Sequence, residues 1–373
     1  MTQRTKPPFR AEHVGSLLRP AALKQARLDR AAGKIDAAQL RAIEDEAIRE
    51  LVRQQEEVGL RAVTDGEFRR DSWHIDFYQQ IGGLVARGAA PAIKFKTQSA
   101  EIDYVMPSLQ IEARLSLPQT IFAADFTFLK SIAHATPKLT IPSPSVLHRR
   151  AIAALGNAAL YRDIDSFWRD LTAVYAQEVA QLAALGCTYL QIDDTSFATL
   201  CDPAQREGLS QVGADGEHIH ETYIRVFNES VKARPAGMTL VTHTCRGNHR
   251  SAWFASGGYD FIADALFNEL DADGFFLEYD DERSGDFAPL RFLPKGKIAV
   301  LGLVSSKQRA LESKDQIKRR VEEAARFAPL EQLALSPQCG FSSTLDGNEL
   351  SEAEQFAKLR LVAEVAREVW GSA

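Results

Sequence analysis

One unit recurs along this chain and limits its fold more than any other feature: an amphipathic helix, a glycine, a short apolar strand, then polar residues. The first copy begins near Asp36. Leu40, Ile43, Ala47 and Leu51 mark one helical face, and Gly59 closes the helix as a left-handed cap. Residues 60–64 read as a strand ending in Asp65, Gly66 and Glu67. The second copy has Leu171, Val174, Leu182 and Leu185 on its helix and Gly186 as its stop. Its strand, 188–192, ends in Asp193 and Asp194. A third runs from Phe261 through Leu270 to Gly274, then Phe275 to Leu277, ending in Glu278. A fourth opens at a capping box, Ser313 with Gln316, and carries Ile317, Val321 and Ala324 into strand 333–335 and Cys339.

Four more apolar runs fill the gaps, at 12–17, 138–141, 238–242 and 297–304. Helix–strand alternation implies parallel strands joined by helical crossovers. Eight strands favour a closed α/β (β/α)8 TIM barrel over an open doubly wound sheet, and no Gly-rich phosphate fingerprint follows the first strand. At 373 residues the chain has length for one such barrel with insertions, so residues 1–373 read as a single domain. Residues 1–11 read as an N-terminal arm laid on the barrel. The stretch 90–129 breaks the pattern after strand two. There 93–97 and 109–115 alternate apolar with polar, which predicts an inserted β-hairpin. A final helix opens at a second capping box, Ser351 with Glu354, and runs to about Trp370.

Composition removes several classes. With 45% hydrophobic and 25% charged residues, the chain is neither disordered, collagenous nor coiled coil. Its net charge of −6 and lack of a basic run argue against nucleic acid as a partner. No apolar run reaches the ~20 residues that span a bilayer, and residues 1–12 lack an apolar signal core. A cytoplasmic protein without a membrane partner is the expectation. Four cysteines, Cys187, Cys201, Cys245 and Cys339, are too few and scattered for a disulfide scaffold. In a reducing compartment, a cysteine near a histidine reads as metal ligand or nucleophile. Several helices could pair such barrels into a homo-oligomer, and none is singled out.

The chemistry collects at the C-terminal ends of the strands: Ser16, Glu67, Asp193, His243, Cys245, Glu278 and Cys339. In barrels that rim holds the active site. Residues i and i+2 of an extended segment face one way, so His243 and Cys245 can grip one ion. With Glu278 and Cys339 they offer nitrogen, oxygen and two sulfurs, a set that suits Zn2+ and not Mg2+ or Ca2+. The bland alternative is a barrel histidine and small core cysteines. Glu67 and Asp193 suit an ammonium group, a proton transfer or a second ion, or else pair with Arg69, Arg70 or Arg246. Gly15-Ser16 is either an ordinary turn or an amide and hydroxyl for a carboxylate. His13, His74, His148 and His249 are rim candidates or structural residues. His218 and His220 read as solvated, and Cys187 and Cys201 as lying off the rim.

Taken in order, these segments resemble the cobalamin-independent methionine synthase superfamily. The segments are His13-Val14-Gly15-Ser16, Asp65-Gly66-Glu67-Phe68-Arg69-Arg70, Gln191-Ile192-Asp193-Asp194, His243-Thr244-Cys245-Arg246-Gly247-Asn248, Glu278 and Ser336-Pro337-Gln338-Cys339-Gly340-Phe341. The likeness covers nearly the whole chain. It is strongest to short single-barrel relatives and to zinc-dependent epoxyalkane:coenzyme M transferases. The resemblance implies a catalytic zinc on His243, Cys245, Glu278 and Cys339. It also implies homocysteine contacts from Ser16 to the carboxylate and from Glu67 and Asp193 to the amino group. The implied activity is S-methyl transfer, in which a zinc-bound thiolate attacks the methyl of a folate, a corrinoid protein or another donor.

The chain departs from the full-length enzymes in four ways, one being that the acidic pair after strand four is Asp193-Asp194 where they have Asp-Glu. It has length for one barrel where they have two. The stretch 144–150 lacks the tryptophan that stacks on folate after strand three, and 302–307 lacks the histidine after strand seven. Two alternatives accompany the first reading. One is a zinc-dependent transferase joining a thiol such as coenzyme M to an epoxide, whose sulfonate would want Arg69, Arg70 or Arg246. The other is a non-catalytic barrel that binds zinc or a thiol.

Overall fold

The computed structural model describes residues 4–151, 160–211 and 214–373. Its strands are β1 Ala62–Val63, β2 Gly82–Ala89, β3 Ile93–Lys96, β4 Glu101–Tyr104, β5 Pro107–Ser116, β6 Thr136–Pro137, β7 Leu139–Pro142, β8 Tyr189–Asp194, β9 Thr239–Thr244, β10 Gly274–Glu278, β11 Ile298–Val304 and β12 Leu333–Pro337. The main sheet is parallel and takes six of them in the order β12-β11-β10-β9-β8-β7. Helices connect most of these strands, among them Ile164–Ala184, Ile219–Val231, Ala263–Glu269 and Lys314–Ala324. This is the α/β alternation expected.

The two sheet faces bury different things. Leu190, Ile192, Leu240, Phe275, Leu277, Leu301, Leu333 and Leu335 belong to the large core shared with the helices. The alternate residues Tyr189, Val241, Phe276, Ile298, Val300 and Ala334 form a separate small cluster with Phe9, Val14 and Ala62. Two-residue periodicity then carries that second face to the strand ends. Tyr189 leads to Gln191 and Asp193, Val241 to His243, and Phe276 to Glu278. Register aligns these positions sideways: Asp193 pairs His243, His243 pairs Phe276, and Glu278 pairs Gly302.

Two expected strands are reduced. Residues 12–17 form no ladder. Ala11 makes a single parallel bridge to Leu335, flanked by Glu12 N–H to the Leu335 carbonyl at 2.9 Å. The cause is competition for the backbone. The His13 carbonyl accepts from Lys138 Nζ, the Val14 carbonyl from Gln191 Nε2 and the Gly15 carbonyl from Thr64 Oγ1. Gly15 also sits at φ +150°, where a Cβ would lie 2.7 Å from Thr140 Cγ2. The expected strand 60–64 shrinks to β1, paired with β6, because the Gln55 amide takes both the N–H and the carbonyl of Thr64.

The insertion differs from the expected single hairpin. It begins at Gly82 and contains two hairpins, one nested in the other: β2 pairs β5, and β3 pairs β4. Residues 93–97 therefore do not pair with 109–115. Ala123–Ile132, assigned above to the insertion, is a helix. The strand missed, β2, carries Gly82, Gly83 and Gly88, which erase an alternating pattern.

Helix stops and starts follow the sequence with one exception. Asp36 caps Ala37–Glu57, and Ser351 caps Glu352–Trp370 with a complete capping box. Ser313 precedes Lys314–Ala324 but makes no side-chain capping bond, so the box with Gln316 is absent. Of the N-terminal arm, Phe9 enters the small cluster and Arg4 Nε bonds the Pro8 carbonyl at 2.7 Å. No helix of the described residues is long and apolar enough to cross a membrane.

Candidate functional site

Three of the predicted donors meet at the strand ends. His243 lies in β9, Cys245 follows that strand, and Cys339 lies two residues past β12. One ligand atom from each falls within 4.8 Å of the others, and the two sulfurs are 3.2 Å apart. Both ring nitrogens of His243 are buried without a hydrogen-bond partner among the described residues. Sharing a hydrogen bond with Cys339, and then burial, push the Cys245 thiol well above its ordinary pKa. A cation between the sulfurs would reverse that preference, because a coordinated thiol loses its proton. Two sulfurs and one imidazole fit a borderline-soft ion.

Glu278, the fourth predicted donor, stands beside this trio and outside it. Its Oε2 accepts the Arg246 N–H at 2.7 Å. Its Oε1 accepts Gln338 Nε2 at 2.6 Å and Lys307 Nζ at 3.3 Å. Burial acts to raise its pKa, but the charges of Lys307, Arg246 and Arg283 outweigh that and lower it to about 2. It is a fixed anion tied to three partners. Sequence reasoning missed Lys307 and Gln338. Gln338 had a signal, its place beside Cys339; Lys307, on a loop, had none.

Ser16, Glu67, Asp193, His243, Cys245 and Cys339 all line one pocket of about 1020 Å³, part of it open to solvent. Glu67 has φ +59°, a left-handed backbone costing a non-glycine residue roughly 1 kcal/mol or more. Its N–H donates to Asp65 Oδ1 at 2.9 Å, and its carbonyl accepts from Arg19 Nη2 at 2.7 Å. Its Oε1 accepts from Thr140 Oγ1 at 2.7 Å, and Oε2 has no partner among the described residues. Asp193 accepts from Gln191 Nε2 at 2.7 Å. Burial raises its carboxyl to about 7, with His243 pulling down and Glu67 pushing up. Gly340 makes room for Ser16: a Cβ there would stand 2.0 Å from Ser16 Oγ.

The remaining candidates separate. His74 and His249 line the pocket. His148 bonds Tyr223 OH at 3.1 Å and stacks near Trp168, and His13 is buried near Lys138. His218 is exposed and meets Glu221 at 3.2 Å. Cys187 and Cys201 are buried away from the pocket, where burial raises them to about 12 and about 11. The three arginines named for a sulfonate already have partners within the protein. Arg69 faces Glu44, Asp45 and Asp125, Arg70 lies 3.6 Å from Glu67, and Arg246 holds the Gly257 carbonyl. Two parts of the wall had no sequence signal. Phe95 and Tyr104 arrive from the inner hairpin, which bridges to Trp253, and Arg149 and Arg150 arrive from the helix Pro144–Ala151.

The fold and pocket define a class: an α/β protein with a thiol-rich donor trio and a carboxylate pair facing one cavity at its strand ends. The chain belongs to the family described as cobalamin-independent synthase, catalytic domain, whose profile matches residues 9–368. It is 44% identical to the uncharacterized protein YxjH of Bacillus subtilis, over 98% of this chain and 96% of that one. It is 26% identical to a methionine synthase of Saccharolobus solfataricus, over 88% and 86%. Among solved structures, it is similar to a candidate vitamin-B12 independent methionine synthase from Listeria monocytogenes. That likeness has a TM-score of 0.77 and 34% identity, and covers 99% of this chain and 100% of the other.

Proposed function

We propose that the chain is a zinc-dependent S-methyltransferase that methylates homocysteine or a close amino-bearing thiol. One observation carries the reading: the His243, Cys245, Cys339 trio and the residues Ser16, Glu67 and Asp193 line the same pocket. We read the fold as a (β/α)8 barrel whose ring is completed by residues 12–17 and β1. His243, Cys245 and Cys339 would hold the ion, with Glu278 beside them. Bound there, zinc would supply the positive charge that keeps a substrate sulfur as thiolate. Asp193 and the free Oε2 of Glu67 receive the amino group, and Ser16 Oγ the carboxylate. Gln338 and Lys307 restrain Glu278. The second substrate is a methyl donor: a folate, a corrinoid protein or another activated methyl compound.

The coenzyme M alternative needs a cation for the sulfonate: Arg69, Arg70 and Arg246 are already engaged, which leaves Arg149 and Arg150 on the pocket wall as the groups it would use. Metal analysis followed by cobalt substitution separates the two. L-homocysteine, titrated into the cobalt protein, is expected to change its visible spectrum, and Cys339→Ser to abolish metal binding. A response to coenzyme M alone would transfer the assignment to the alternative. Absence of bound metal after metal-replete purification would end both.

A further inference from the structure

Two-residue alternation along β8 puts Tyr189, Gln191 and Asp193 on one face, and all three are buried. Lys138, just before β7, joins them with its side chain fully enclosed. A line of polar contacts runs through these residues and ends at the pocket. Glu12 accepts from Tyr189 OH at 3.0 Å and lies 3.5 Å from Lys138 Nζ. Lys138 Nζ also donates to the His13 carbonyl and, at 3.2 Å, to Gln191 Oε1. Gln191 Nε2 donates to the Val14 carbonyl at 2.6 Å and to Asp193 Oδ1 at 2.7 Å. Asp193 lines the pocket, and neither Lys138 nor Gln191 does.

An ammonium group has three donors and no acceptor, and Lys138 finds three acceptors here. A glutamine amide has two N–H donors, and both are spent. The Gln191 amide is therefore held in one orientation. Turned over, its nitrogen would face Nζ and its oxygen would face a carbonyl and a carboxylate, which leaves buried groups unpaired. Lys138 thus decides that a donor, not an acceptor, is presented to Asp193. Oδ1 of Asp193 is pinned in consequence. Its Oδ2 has no hydrogen-bond partner among the described residues and is left for an ammonium group.

We propose that Lys138 and Gln191 are positioning residues that set a preference for an amino-bearing thiol, acting through Asp193 without touching the substrate. This rests on Asp193 as the acceptor of the amino group in the methyl-transfer reading.

The test compares L-homocysteine with 4-mercaptobutanoate, the same thiol without its amino group, by calorimetric titration of metal-replete protein. The wild-type protein is expected to bind L-homocysteine tenfold or more tightly. Gln191→Met and the paired variant Lys138→Met/Glu12→Gln are each expected to bring that ratio below threefold, with 4-mercaptobutanoate affinity and metal content unchanged. Thermal melts establish that the variants are folded, and Gln191→Met, which keeps the Lys138–Glu12 pair, decides the case if the paired variant is not. A wild-type ratio in folded Gln191→Met would overturn the proposal. So would an equal loss of affinity for both thiols, the mark of a pocket distorted as a whole. Equal binding of the two thiols by the wild-type protein would leave no preference to set and overturn it too. Failure of the wild-type protein to bind either thiol would sink the methyl-transfer reading itself, so the wild-type titration separates that failure from a failure of the relay.

Discussion

Gly340 and Ser16 come from opposite ends of the chain and touch, so a methyl group added to one displaces the other. Gly340→Ala is expected to turn the Ser16 hydroxyl away and weaken L-homocysteine binding tenfold or more, with metal content unchanged. Calorimetry beside metal analysis checks this, and unaltered thiol affinity would remove Ser16 from the site. Asp193→Asn is expected to weaken the same ligand by a similar factor, since an amide cannot neutralise an ammonium group. A third residue-scale prediction concerns pH. Glu178 is buried on the helix Ile164–Ala184, where burial raises its pKa to about 8 against the pull of the Ile121 N–H. A raised carboxyl binds its proton more tightly folded than unfolded. Its contribution is therefore present at low pH and is lost as pH rises from about 4.5 to about 8. Glu178→Gln is expected to flatten that decline and to stabilise the protein at pH 8 by a few kcal/mol at most. Parallel denaturation curves for both proteins at pH 5 and pH 8 are the check.

At the scale of elements, two serines that look alike in sequence separate in structure. Ser351 receives the Glu354 N–H at 3.2 Å, whereas Ser313 makes no capping bond. Ser351→Ala is expected to cost about 1 kcal/mol and Ser313→Ala close to nothing, read from urea midpoints. Equal losses would show that the cap bond is not the source. The same contrast marks what the sequence could convey. Helix–glycine–strand units were readable because periodicity and helix stops are local. His243, Cys245 and Asp193 were readable as a group because strand alternation aims them one way, and Cys339 only by its place just past a strand end. Residues 12–17 misled because distant side chains, Lys138 and Gln191, occupy their carbonyls. The hairpin partner was wrong because glycine carries no alternation. Phe95, Tyr104 and Lys307 reach the site by way of the insertion and a loop, Arg149 and Arg150 on the helix Pro144–Ala151, and nothing local announces that.

On the scale of the whole molecule, a buried ion pair sits beneath the site. Lys138 Nζ lies 3.5 Å from Glu12 Oε2, and Tyr189 OH donates to Glu12 Oε1 at 3.0 Å. Lys138→Met is expected to destabilise by about 3 kcal/mol or more, because it strands a buried carboxylate. Adding Glu12→Gln is expected to recover part of the loss. A double variant as unstable as the sum of the two single variants would refute the coupling.

Ala11 bridges to Leu335, so the N-terminal segment waits for a partner made 324 residues later. At ~5–20 residues per second, a ribosome takes on the order of 15–65 s to deliver it. During that interval the β7 to β11 array has one strand edge uncovered and only part of its sulfur set. The donor trio of His243, Cys245 and Cys339 is therefore completed only once Cys339 has emerged.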